Sequence, residues 1–200
     1  MDTQRQQETI GRRSIFATSL SFFILSFLGW VYETFLCFAL YGRFSDRGFL
    51  RLPFCPIYGG VVCALYLLVG TPAEGGFARG VRRLTERFGW QAGVERALRY
   101  VGYFLLSVLF ATVTELVVGL LFQSAGHILW SYAAEPYNFR GVICPSVSIC
   151  WGFLLTVVMR YPYTWLLRGI ELAPKRAVLA QSVLLGVALS VDFLLCLARL

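Results

Sequence analysis

Two hundred residues that are 58% hydrophobic and only 14% charged lie outside the range of soluble domains, whose apolar and charged fractions run near half and a quarter. The mean hydropathy of +0.67 points the same way, and several apolar runs exceed the roughly 18 residues that cross a bilayer. In such a chain the net charge of +7 sets orientation and meets anionic headgroups, so a nucleic-acid partner is excluded.

Residues 1–13 are polar, with Arg5, Arg12 and Arg13, and resemble the start of a signal sequence. The apolar run behind them is too long for a signal core and no A-x-A site closes it, so an uncleaved first span is expected over about 14–41. A polar turn follows, and a second span is expected over about 54–70, entered through Cys55-Pro56. Thr71-Pro72 and the glycines behind it end that span. Residues 77–98 place Phe77, Val81, Leu84, Phe88, Val94 and Leu98 at helical spacing among arginines, which predicts an amphipathic helix in the membrane interface. Further spans are expected over about 99–122, 142–159 and 177–197, with a basic connection at 160–176.

Thirteen of the 18 basic residues fall in the N-terminus, in 71–99 and in 160–176, and five in the other connections. The positive-inside rule then places the N-terminus in the cytoplasm and the 42–53 and 123–141 loops outside. The expected fold is all-α: a single polytopic membrane helix bundle of about five transmembrane helices. Its halves, about 14–70 and 99–159, form a parallel internal repeat of helix pairs. Each half has an apolar run carrying one glutamate (Glu33, Glu115), then Arg-Gly (Arg47-Gly48, Arg140-Gly141), then Cys-Pro (Cys55-Pro56, Cys144-Pro145). Equivalent positions of such a repeat meet near its pseudo-axis, so Cys55 and Cys144 are expected to approach each other, with a disulfide left open.

Glu33, Glu115 and Asp192 each lie eight residues before the outer end of a run, at Tyr41, Gln123 and Leu200. At ~1.5 Å per residue that is ~12 Å deep. Ionisable groups there face the bundle interior and mark a site, or else they glue helices together. Arg47 and Arg140 are the natural partners, since a guanidinium forks onto a carboxylate. Trp30, Trp130 and Tyr132 fit an interfacial aromatic belt. The six cysteines include no CxxC pair and His127 is the single histidine, so no metal is expected. No Walker loop and no nucleophile–base pattern occurs, and no cofactor is implied.

Gly29-Trp30-x-x-Glu33, Asp46-Arg47-Gly48-Phe49-Leu50 and Pro53-x-Cys55-Pro56-Ile57-Tyr58-Gly59 together resemble the signature of the putative ABC-transporter type IV family, small bacterial membrane proteins. The second half agrees through Thr114-Glu115, Trp130-x-Tyr132, Asn138-x-x-Gly141-x-Ile143-Cys144 and Trp151-Gly152, so the resemblance covers about 25–160. It departs at Ser131, where the family usually has Asp, and at Pro145, where it often has Leu. The resemblance implies a permease-like component of the bacterial inner membrane, bathed in lipid, with an ATPase, another membrane subunit or a second copy as partner. Glu33, Arg47, Glu115 and Arg140 are the expected ligand-binding set. Trp30, Asp46, Gly48, Cys55, Tyr58, Trp130, Tyr132, Asn138, Cys144 and Asp192 support it. A small membrane enzyme or lipid-handling protein at the outer leaflet, and a non-catalytic assembly or sensor subunit, remain the alternatives.

Overall fold

The structure, a computed structural model, describes residues 2–42, 44 and 48–198, with side chains from 15 onward except at 40 and 41. It is 75% helical, with no strand among the described residues. Those residues form α1 (Asp2–Tyr41), α2 (Pro56–Leu68), α3 (Gly76–Phe88), α4 (Ala92–Ser124), α5 (Pro145–Arg160), α6 (Pro162–Glu171) and α7 (Lys175–Leu197). The chain divides into two compact units, one of residues 1–63 with 165–200 and one of residues 64–164.

In the first unit α1 is the spine. Ser21 and Ser26 are fully buried on it, and each hydroxyl bonds a carbonyl of its own helix. Small side chains of this kind let helices come close without leaving a polar group unpaired. The start of α2 uses that surface: the Cys55 amide donates to the Ser26 carbonyl at 2.9 Å, and the Cys63 thiol lies 3.6 Å from the Thr18 carbonyl. On another side the Ser19 and Ser182 hydroxyls meet at 3.1 Å and join α1 to α7.

In the second unit α4 is the spine, and it buries Tyr103, Ser107, Ala111, Glu115 and Gly119. A spacing of four keeps these on one helical face. Helix α5 runs antiparallel along it, with Gly152 against the backbone of Val108 and the Arg160 Nε donating to the Tyr100 hydroxyl at 2.6 Å. That register brings Pro145, the first residue of α5, level with Glu115.

Three helical stretches are long and apolar enough to cross a membrane: Ile15–Ala39, Ala92–Ser124 and Lys175–Leu197, of 25, 33 and 23 residues. Their outward faces are apolar, with Phe35, Leu121 and Leu184 all more than 60% exposed, as suits lipid. The expected spans at 54–70 and 142–159 are helical for only 13 and 16 residues. These reach about 20 and 24 Å, short of the ~30 Å hydrocarbon core. Pro56 and Pro145 open them at the first helical position, where a missing N–H costs nothing.

Two boundaries differ from expectation. The amphipathic segment 77–98 is not one helix: α3 stops at Phe88, and residues 92–98 belong to α4. Gly89 takes φ 64, and the amides of Gly89 and Trp90 return to the carbonyls of Glu86 and Thr85, the paired bonds of a Schellman stop. The basic connection 160–176 contains α6, which Pro162 opens and whose Tyr163, Leu167 and Ile170 are buried.

Candidate functional site

Glu33 in the apolar stretch of α1 and Glu115 in that of α4 each accept a hydrogen bond from a tyrosine of the same unit. In the first unit the Tyr58 hydroxyl donates to Glu33 Oε1 at 2.7 Å. Tyr58 stands in the first turn of α2, three residues past Cys55, and its side chain packs closely on α1 at Gly29. A Cβ there would overlap the ring, so only glycine admits this approach. Gly29 precedes Glu33 by four residues and shares its helical face, so the ring that covers one delivers its hydroxyl to the other. Tyr32 adds an edge contact to the Tyr58 ring, centroids 6.4 Å apart, and Trp30 stacks on Phe27.

In the second unit the Tyr132 hydroxyl donates to Glu115 Oε1 at 3.0 Å. Here the tyrosine comes from the loop between α4 and α5. That loop is tied to itself: the Trp130 indole donates to the Val142 carbonyl at 2.8 Å, and the Tyr132 amide to the Gly141 carbonyl at 2.7 Å. The Asn138 side chain donates to the Glu135 carbonyl and accepts from the Gly141 amide. Val142 and Trp130 then seat on Gly119, one turn beyond Glu115. Burial, and then the charge of Glu115, push the Tyr132 phenol well above its ordinary value, while the nearby Trp151 indole opposes in part. The phenol is a fixed donor.

Arg140 does not pair with Glu115. Arg140 is exposed, has φ 55 and lays its guanidinium 5.6 Å from the centre of the Phe139 ring. Among the described residues it forms no ion pair, with Glu115 or any other carboxylate. Its backbone holds the left-handed turn that Gly141 continues at φ 69. Arg47 and Asp46 lie outside the described residues. Among the described residues no disulfide joins the six cysteines. Cys55 and Cys144 are buried at the starts of α2 and α5, and the Cys144 thiol contacts the Ser146 hydroxyl at 3.4 Å.

Asp192 serves the loop after α1. Its Oδ2 accepts the amides of Arg51 and Leu52, each at 2.9 Å, and Phe193 beside it packs edge-on against Phe49. Gly48 takes φ 106, and a Cβ added there would stand 3.1 Å from the Cys55 sulfur. Asp192 thus anchors a loop, as a carboxylate accepting two backbone N–H groups does well. Among the described residues no group of three or more potential metal ligands gathers.

Sequence reasoning had Tyr58 and Tyr132 among the supporting residues but not as the partners of the glutamates. The available signal was Tyr58 in the first turn behind Cys55-Pro56, where a side chain points back toward the preceding helix. Comparison with curated proteins and with solved structures finds no match in either. The family model described as putative ABC-transporter type IV matches residues 20–197, nearly the whole chain and both glutamate–tyrosine pairs, and the chain belongs to that family.

Proposed function

We propose that this chain is a multi-pass, transporter-type component of the bacterial inner membrane. Its polar site is built on Glu33 and Glu115, with Arg47 and Arg140 on the flanking loops. In this reading the short helices α2 and α5 complete five crossings, the halves 14–70 and 99–159 form a parallel repeat, and the whole is one membrane domain. The N-terminus is cytoplasmic by the distribution of basic residues, and the loops carrying Arg47 and Arg140 face out. An ATPase or another membrane subunit supplies any nucleotide chemistry.

The observation that carries the reading is the matched pair of carboxylates. Glu33 lies eight residues before the end of α1 and Glu115 nine before the end of α4, ~12 to 14 Å along each helix. Both lie in helices apolar enough to span, where an ionisable group is costly without a task. A phenol–carboxylate bond is also one that a ligand hydroxyl or ammonium can replace, because the carboxylate has further acceptor positions.

Native mass spectrometry of the chain released from its own membrane tests this. A small polar molecule or lipid should travel with the wild type and be lost in both E33Q and E115Q. If no form of the chain carries a ligand, and both variants fold and support growth like the wild type, the transporter-type reading is wrong. One observation favours a second reading, a non-catalytic assembly subunit: each carboxylate already has an internal donor. In that case E33Q and E115Q would lose a partner protein rather than a ligand.

A further inference from the structure

Helices α3 and α4 form an antiparallel hairpin, with Phe77 edge-on to Tyr103 at 6.2 Å and Arg82 beside Glu95. Between residues 79 and 99 the hairpin carries six arginines against two glutamates. At its centre two guanidiniums share one carboxylate: Arg82 Nε is 3.9 Å and Arg99 Nη1 3.7 Å from the same Glu95 oxygen. Neither distance is a hydrogen bond. The Arg99 Nε is shut off from solvent and has no hydrogen-bond partner among the described residues. The cluster is short of one anion, and one of its donors is unmet.

Position along α4 says which anion. The uninterrupted apolar stretch of α4 begins at Tyr100, so on a helix that crosses the bilayer Arg99 stands at the edge of the hydrocarbon. The antiparallel register holds Arg82 at the same level, which is that of the lipid phosphates. Arg79, Arg83, Arg87 and Arg96 are exposed around it. Leu84 and Phe88 form an exposed apolar strip on α3, and Trp90 stacks on Phe88 at 5.3 Å, rings of the kind that settle among headgroups.

We infer that the α3–α4 hairpin binds the phosphate of an anionic phospholipid between Arg82 and Arg99, with Glu95 holding the two guanidiniums apart until the lipid arrives. This rests on α4 crossing the bilayer, but not on the role of Glu33 and Glu115. The test uses the full chain in nanodiscs of phosphatidylcholine and phosphatidylglycerol, with lipids retained on release counted by native mass spectrometry. The wild type should retain phosphatidylglycerol preferentially, and R82Q, whose side chain is 57% exposed and whose loss should leave the fold intact, should weaken the preference about fivefold. R82Q/R99Q should abolish it. E95Q, which frees both arginines, should strengthen it, an outcome that a merely structural cluster would not give. E33Q and E115Q should keep it, so that a failed ligand site and a failed lipid site read differently. Equal retention of the two lipids by the wild type, or an unchanged preference in R82Q/R99Q, would overturn the inference. So would inorganic phosphate raising the thermal stability in pure phosphatidylcholine as far as phosphatidylglycerol does, since a free anion would then be the ligand.

Discussion

The two loops that lead into α2 and α5 solve one problem in different ways. Each must bring the chain back to a helix start beside a glutamate and supply that glutamate with a donor. The second loop is tied largely to itself: Trp130, Asn138 and Gly141 close it on its own backbone, with one further bond from the Gln123 side-chain amide of α4 to the Arg140 carbonyl. Its Tyr132 reaches Glu115, which is only 8% exposed. The first loop borrows its support, because the amides of Arg51 and Leu52 end on Asp192 of α7. Its tyrosine is supplied one element later, by α2. At residues 51 and 52 a carboxylate from another helix takes the backbone amides; in the second loop an indole and a side-chain amide of the loop itself do most of the tying.

Removing the borrowed support should have the largest effect. D192A leaves two backbone N–H groups of the first loop without their acceptor, at ~1–3 kcal/mol each. The melting temperature in detergent should fall, and the buried Cys55 thiol should become reactive toward a maleimide while Cys144 does not. D192N keeps one carbonyl oxygen and should recover part of the loss. If Cys55 and Cys144 become reactive together, the loops do not stand on separate supports.

The tyrosines come next. Y132F removes the donor to a buried carboxylate and should cost ~1.5–3 kcal/mol, the range for hydrogen bonds to charged groups. Y58F should cost less, because Glu33 is only half-buried and water can replace the phenol. Thermal melts of the two variants rank them, and Y58F as the more damaging would reverse the comparison. G29A belongs with Y58F: its methyl would displace the Tyr58 ring from α1, and overpacking of this kind costs ~1–3 kcal/mol. N138A or W130F, each loosening one tie within the second loop, should cost about 1 kcal/mol and raise Cys144 reactivity without touching Cys55.

How far these contrasts were legible depends on what each rests on. Helices α1, α4 and α7 could be read directly, because apolar runs beyond 18 residues leave little else possible. The starts of α2 and α5 were visible in Cys-Pro. The stop of α3 was missed because the apolar spacing continues past Gly89, and periodicity does not register one residue at φ 64. α6 was hidden by its charges, though Pro162, Tyr163, Leu167 and Ile170 have helical spacing. For the site, the depth of Glu33 and Glu115 was visible and their partners were not. A glutamate and an arginine attract on paper, but Arg140 is turned out over Phe139 by its own backbone. Tyr58 reaches Glu33 through a surface that exists only because residue 29 lacks a side chain. Asp192 was placed by distance from the chain end, while the structure uses it through the loop that folds against it.

The smallest expected effect concerns pH, and it separates a fixed donor from a titrating one. Burial, and then Glu115, raise the Tyr132 phenol above its ordinary value. A group with a raised folded value contributes stability that is fully present below its unfolded value, ~10 for tyrosine. That contribution is lost only as pH climbs beyond it, because the unfolded chain then releases a proton the folded chain keeps. The difference in melting temperature between wild type and Y132F should therefore stay constant from about pH 6 to 9 and shrink above about 10. A difference that changes inside the lower window would mean that the proton of the Tyr132–Glu115 pair moves there. The second loop would then hold a titrating site, and the phenol could no longer be counted as a permanent part of its support.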